Sequence, residues 1–348
     1  MRVGMSLTYS GGFLEAVDDL VEYEAAGLQI LFVPEAYTFD AVSQLGYAAA
    51  HTRTVEIASG ILPIYTRTPT LTAMTAAGLD YVSGGRFTLG LGASGPQVIE
   101  GFHGVAYDDP LGRTREVVDI CRQVWQREKV SHVGRHYQVP MLPDLGTGLG
   151  KPLRLINHPV REQIPIMLAA IGPKNVALAA EIAEGWQPMF YRPEQADTVW
   201  GDALAAGAAA RSPTLPPLDI VAGAQLAIGD DVDGLMDIPR HQLALYLGGM
   251  GARGRNFYHD LAVRYGYEGQ AGLVQDLYLS GRKAEAAAAV PASLVAETNL
   301  IGPREHIAER IAAYAASGVT TLNLTPIARH PAQRVRDIAL VREIAEGM

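Results

Sequence analysis

The chain has 348 residues, 48% hydrophobic and 19% charged, with a net charge of −9. That balance argues against a nucleic-acid-binding face, which needs a basic field, but leaves room for a small anion held by local cations and helix N-termini. A lone cysteine, Cys121, excludes an internal disulfide and a cysteine-based metal site. No apolar run is long enough to span a bilayer, and MRVGMSLTYS lacks the order of a signal peptide, so a cytoplasmic enzyme with no membrane partner is expected.

Arg2–Thr8 reads as strand one, Gly11-Gly12 as a turn, and Phe13–Ala26 as a helix with Gly27 as its C-cap. Gln29–Val33 is strand two and runs into Pro34-Glu35-Ala36-Tyr37, after which Asp40 is placed to cap a helix over Ala41–His51. Val55–Ser59 is strand three, broken by Gly60-Ile61-Leu62-Pro63. Thr68-Pro69 opens a helix to Val82, and Ser83-Gly84-Gly85 turns the chain into strand four, Arg86–Leu91. A glycine-bearing loop follows, then a helix over Thr114–Gln126 and a hairpin from Val130–Val133 and Tyr137–Val139. Ile164–Ala169 is strand five with helix Pro173–Glu184, and Gly185–Met189 is strand six with helix Pro193–Arg211. Leu218–Ile228 is strand seven, followed by a helix over Val232–Gly248. Several short helices fill Gly251–Val295. Pro303–Ala316, Thr320–Thr325 and Pro331–Glu346 read as helix, strand eight and closing helix.

Strands alternating with amphipathic helices imply parallel strands joined by crossovers. Eight such units in one chain predict an α/β fold, a (β/α)8 TIM barrel formed as a single domain by residues 1–348. Insertions are expected after strands four and seven, at 128–163 and 251–295, both contributing to a substrate pocket. The alternative is an open sheet with a C-terminal helical domain. In the barrel, ligands bind at the C-terminal strand ends.

Ser83-Gly84-Gly85-Arg86-Phe87-Thr88-Leu89-Gly90-Leu91-Gly92-Ala93 resembles a signature of the bacterial luciferase-like superfamily. The continuation through Ser94-Gly95-Pro96-Gln97 to His103-Gly104, with Arg113-Thr114-Arg115-Glu116, Ala169–Asn175 and Ile182–Trp186, resembles the branch that uses the deazaflavin coenzyme F420. The resemblance covers the whole chain and is weakest over 251–296. It implies a barrel, usually a homodimer, that transfers hydride between the deazaflavin and a small organic substrate. Two rivals are an FMN-dependent two-component monooxygenase of the same fold and a non-catalytic flavin or deazaflavin carrier.

The resemblance also implies site residues. A non-prolyl cis peptide at Gly60-Ile61 would support the middle of the ring. The backbone of Ala93, Ser94, Gly95 and Gln97 would meet its edge. Gly172, Pro173 and Lys174, at a helix start, with Tyr191 and Arg192 after strand six, would hold its phosphate. Glu35 aligns with an acid of related enzymes, where Ala36 replaces the usual histidine. It reads either as a proton donor that also touches the cofactor or as a structural carboxylate. His103 is either an acid–base group or a structural hydrogen-bonder. Arg67 meets the cofactor tail or pairs with a carboxylate, and Arg86 is expected to hold the barrel base. The other histidines are scattered without ligand spacing, so no metal is expected.

Overall fold

The computed structural model describes residues 1–7 and 12–348, excluding the side chain of Glu15. Thr8 at the end of the expected first strand, and Gly11 of the turn after it, lie outside the described residues. Eight parallel strands form the barrel wall: β1 Arg2–Ser6, β2 Ile30–Val33, β3 Glu56–Ser59, β4 Phe87–Gly92, β5 Ile166–Ala169, β6 Gly185–Gln187, β7 Asp219–Ile228 and β8 Thr321–Pro326. Each pairs with the next, and β8 pairs with β1 through Arg2↔Thr321 to Met5↔Leu324, which closes the circle.

The order βαβα predicted from the sequence is therefore the observed one, with element ends shifted by a few residues. The helices Ala41–His51 and Pro69–Val82 start at side-chain caps, Asp40 Oδ2 accepting from the Ser43 N–H at 3.0 Å and Thr68 Oγ1 from that of Leu71 at 3.2 Å. Three details differ. The first helix is interrupted at Asp19 into Phe13–Asp18 and Leu20–Ala25. The helix after β4 begins at Pro110 rather than Thr114, because Asp109 caps it by accepting from the Gly112 N–H at 3.2 Å and proline suits the first turn. Several short elements were not expected, among them a strand over Leu62–Pro63 that pairs with β4, a helix over Pro96–Gly101 and a strand over Leu300–Gly302 that pairs with the end of β7. Elements this short carry too little periodicity to read.

Alternate residues of each strand face the barrel axis. At the base, Arg2 donates to Glu56 at 2.9 Å, to Asp219 at 2.6 Å and to Thr321 at 3.1 Å. Above them Ile30, Phe32, Ala58, Met167 and Val221 form a separate buried cluster. Glycines keep this level narrow. A Cβ on Gly90 would overlap the Ser59 carbonyl oxygen, and one on Gly4 would come 2.7 Å from Ile30 and 2.8 Å from Phe32. Arg86 donates to the carbonyls of Ser83, Ala49 and Thr52 at 2.8–3.2 Å and also to Val55, as expected of a base clamp. With the base closed and the middle packed, the C-terminal mouth is the end left for a ligand.

The two insertions behave differently. In the first, the hairpin His132–Val133 with Gln138–Val139 is clamped to the helix Pro110–Trp125. Glu116 accepts from His132 Nε2 at 3.1 Å and from the N–H groups of Arg135, His136 and Tyr137 at 2.9–3.2 Å. The chain then runs toward the base, where Arg161 holds Asp80 and the Phe87 carbonyl. So 128–163 is tied to the barrel flank by Glu116 and near the base by Arg161, with Tyr137 of its hairpin under Arg113. The second insertion folds into helices Phe257–Arg264, Glu268–Leu279, Lys283–Ala288 and Ala292–Glu297 against the helix Asp237–Gly249. It reaches the mouth, because Tyr265 Oη donates to the Phe190 carbonyl after β6 at 2.9 Å.

Candidate active site at the barrel mouth

The expected site residues fall on two sides of the mouth. Glu35, Gly60, Ile61, Ala93–Gln97 and His103 follow β2, β3 and β4. Gly172–Lys174, Tyr191 and Arg192 follow β5 and β6.

On the first side the Gly60-Ile61 peptide is cis, directly after β3. Glu35 is the centre of a clamp. Arg67 donates to its two carboxylate oxygens at 2.7 and 3.0 Å, and the Ala41 N–H donates to one of them at 2.9 Å. Arg67 also reaches Asp40 at 2.6 Å. The paired Glu35 and Arg67 side chains are only 9% and 13% exposed. Glu35, expected as a proton donor or a structural carboxylate, has its two oxygens bonded to Arg67 and Ala41 and ties down the loop after β2, and Arg67 is its partner rather than a free cation.

Ala93, Ser94 and Gly95 are partly exposed and Gln97 is exposed. Ser94 adopts φ 60°, and its carbonyl accepts from Tyr107 Oη at 3.3 Å. Tyr107 packs on Tyr65, 5.1 Å between ring centroids, and Tyr65 Oη donates to the Asp108 carbonyl at 2.8 Å. Burial pushes the Tyr107 hydroxyl up to about 12, so it stays a donor at neutral pH and holds the loop. His103 Nε2 is buried with no hydrogen-bond partner, and so is Gln187 Oε1 at the inward end of β6. Buried polar atoms are normally paired, and those left over at a strand-end mouth are places where a ligand completes the bonding.

On the second side Gly172 stands just before the helix Pro173–Ile182, which has no side-chain cap. Its first N–H groups and exposed Lys174 are open to an anion. Tyr191 is not. Its ring is buried, stacked 5.3 Å from Trp200 at 8°, with Oη donating to the Ser317 carbonyl at 3.0 Å. Nor is Arg192, which is 6% exposed, donates to Glu297 from Nε at 2.7 Å and lies over the rings of Tyr265 and Tyr267. The expected phosphate roles of Tyr191 and Arg192 find no open side chain here: both side chains belong to the packing between β6 and the second insertion.

Another arginine, not singled out in the sequence, stands beside the Gly172 loop. Arg264 donates to the Ile171 carbonyl at 2.8 Å, next to Gly172, and among the described residues no carboxylate pairs with it. Burial lowers its guanidinium below the ordinary arginine value, which an anionic ligand would offset. Nothing in the sequence marks it, since it comes from the least recognisable segment. Gln187 was legible in principle, as an inward position at the end of β6. Among the described residues no cluster of three or more His, Cys, Asp or Glu side chains could hold a metal, and no helix is long and apolar enough to cross a membrane.

The model of the family described as luciferase-like monooxygenase matches residues 1–321. The chain belongs to this family. A Mycobacterium tuberculosis protein that carries the name coenzyme F420-dependent oxidoreductase is 42% identical over 97% of this chain and 98% of its own length. A 5,10-methylenetetrahydromethanopterin reductase of Archaeoglobus fulgidus is 29% identical over 68% of this chain and 70% of its own. Among solved structures, the coenzyme F420-dependent tetrahydromethanopterin reductase of Methanopyrus kandleri superposes with a TM-score of 0.81. It covers 98% of this chain and 96% of its own, at 20% identity, a likeness of fold. This luciferase-like chain thus has the barrel of its family, with two buried polar atoms, His103 Nε2 and Gln187 Oε1, left without a partner at its mouth.

Proposed function

We propose that the protein is a coenzyme F420-dependent oxidoreductase that moves a hydride between the deazaflavin and a small organic substrate at the barrel mouth. The full-length likeness to the M. tuberculosis protein carries this reading. The mouth fits a flat ring with a polar edge. Its glycines are a cradle that side chains would fill: a Cβ on Gly92 would come 3.0 Å from the Ile61 side chain, and one on Gly60 would come 3.1 Å from Phe32. The unpaired Gln187 Oε1 and the backbone of Ala93–Gly95 offer hydrogen bonds to the ring edge. Gly172, Pro173 and Lys174, with Arg264, would take the phosphate.

When bound, the deazaflavin supplies a ring carbon that accepts or gives a hydride. His103 Nε2 is the group on this side of the mouth with a free position for the proton of a reacting oxygen. The clamp of Glu35, Arg67 and Asp40 sets the loop after β2, and Tyr107 sets the loop after β4, so the site is formed before substrate arrives. A second copy of the chain is the expected partner. The neighbouring helices Ala41–His51 and Pro69–Val82 leave Tyr47, Leu71, Met74, Tyr81 and Val82 exposed, an apolar face of the kind that subunits cover.

Titrating the purified protein with coenzyme F420 and, separately, with FMN tests the cofactor. Saturable deazaflavin binding, with FMN about tenfold or more weaker, is expected. Tight FMN binding without deazaflavin binding would overturn the reading in favour of a flavin-dependent monooxygenase. Deazaflavin binding without turnover of any substrate would favour a carrier.

A further inference from the structure

Tyr37 stands in the loop after β2 and Phe102 just past the short helix after β4, and β3 lies between these strands in the sheet. Their rings meet, 6.2 Å between centroids at 50°. An aromatic bridge therefore joins the two loops across the end of β3, beside Gly60-Ile61. Both rings remain open to water, at 63% and 65% exposure, and Phe39 in the same loop is 78% exposed. Phe102 also meets the His103 imidazole edge-on at 5.1 Å, and His103 Nε2 is buried without a partner.

Exposed aromatic rings at the rim of a concave site are what a ligand covers. This one is held in place, because the Glu35–Arg67–Asp40 clamp fixes the loop that carries Tyr37 and Phe39. The charges nearby are already spent on each other: Arg67 pairs with Glu35 and Asp40, and Arg113 with Asp108. No cation of these loops is left for a phosphorylated substrate. What remains is an apolar wall ending in one unpaired imidazole nitrogen.

We infer that the wall of Tyr37, Phe39 and Phe102 binds the apolar body of the substrate, while His103 Nε2 meets its reacting oxygen. The substrate class is a carbonyl or alcohol compound with an alkyl or aromatic body. The reacting-oxygen part rests on the oxidoreductase reading; the wall stands without it.

The test is a series of methyl ketones, from acetone to methyl heptyl ketone, titrated by calorimetry into the deazaflavin-loaded protein and into the cofactor-free protein. In the wild type each added methylene should tighten binding about fourfold until the wall is covered. In the double variant Tyr37→Ser, Phe102→Ser this dependence should flatten, with deazaflavin affinity and unfolding midpoint unchanged. His103→Gln should weaken all ketones by a similar factor and leave the chain-length dependence intact. Absence of chain-length dependence in the wild type overturns the inference, as does its survival in the double variant. So does a double variant that loses deazaflavin affinity, since the rings would then serve the cofactor. If the deazaflavin does not bind at all, the oxidoreductase reading fails, and the ketone series on the cofactor-free protein still decides the wall.

Discussion

The base and the mouth of this barrel are built from the same strands and treat polar groups in opposite ways. At the base, Arg2 is shared between Glu56 and Asp219, Arg86 is wrapped in backbone carbonyls, Arg161 holds Asp80, and Glu24 accepts from the N–H groups of Arg53, Thr54 and Val55. At the mouth, His103 Nε2 and Gln187 Oε1 are buried and unpaired, Arg264 has no carboxylate partner among the described residues, and three aromatic rings stand in water. A fold that pairs most of its polar groups at one end can leave bonding capacity open at the other. Substitutions at the base should therefore change stability and leave ligand affinity alone, and substitutions at the mouth should do the reverse.

The largest effect is expected at the base. Asp80 is fully buried, and Arg161 donates to its carboxylate and to the Phe87 carbonyl. Arg161→Leu would leave that carboxylate with only the Phe87 N–H, at 3.4 Å, and would take the guanidinium from the carbonyl. Removing one partner of a buried pair costs about 3–5 kcal/mol, which denaturant unfolding would register as a lower midpoint. Deazaflavin affinity of the folded fraction should stay at the wild-type value. A stable variant with weakened cofactor binding would break the division between the two ends.

Arg264 at the mouth gives the converse. It is half-buried beside Ile171 and Gly172, where its loss leaves no acidic partner stranded. Arg264→Gln should weaken the phosphorylated deazaflavin about 10- to 100-fold, the worth of one charge-assisted hydrogen bond. It should leave the same ring system lacking its phosphate unaffected. Arg192→Gln should do the opposite, lowering stability because Glu297 loses its donor. Equal loss for both forms of the deazaflavin in Arg264→Gln would remove that residue from the phosphate site.

This pair of arginines also shows what was legible in the sequence. The barrel was, because strand and helix periodicities alternate over most of the chain and glycine, proline and capping residues mark the joints. The loops after β3, β4 and β5 were legible as irregular joints at the C-terminal strand ends. Which arginine, among the described residues, stays without a carboxylate beside the Gly172 loop was not. Arg192 adjoins a recognisable strand, but its partner Glu297 lies 105 residues away in an irregular segment. Arg264 lies in the same segment and reaches the Gly172 loop only through the fold. Glu35 is similar: an acid at a strand end looks like chemistry until Arg67, 32 residues on, takes both its oxygens. Tyr191 looked like a loop residue because, four residues past the end of β6, nothing local marks the Trp200 ring that buries it. Local pattern sets the elements, whereas pairing between distant segments decides which polar groups are free.

The smallest effect is a pH dependence confined to the base. Burial alone would raise the Glu24 carboxyl. The bonds it accepts from Thr54, together with those from Val55 and Arg53, outweigh that and hold it down to about 2. A carboxylate depressed in the folded state adds stability that is fully present above its unfolded value near 4.5 and is lost as pH falls toward the folded one. Glu24→Gln should therefore lower the unfolding midpoint at pH 7. The gap between variant and wild type should close progressively between about pH 4.5 and 2. Because Glu24 ties the helix Leu20–Ala25 to the start of β3, far from the mouth, deazaflavin affinity at neutral pH should be the same in both proteins. A gap that widens on acidification would mean the acid limb is set elsewhere. A change in cofactor affinity would mean that the start of β3 transmits to its end, so that base and mouth are not independent.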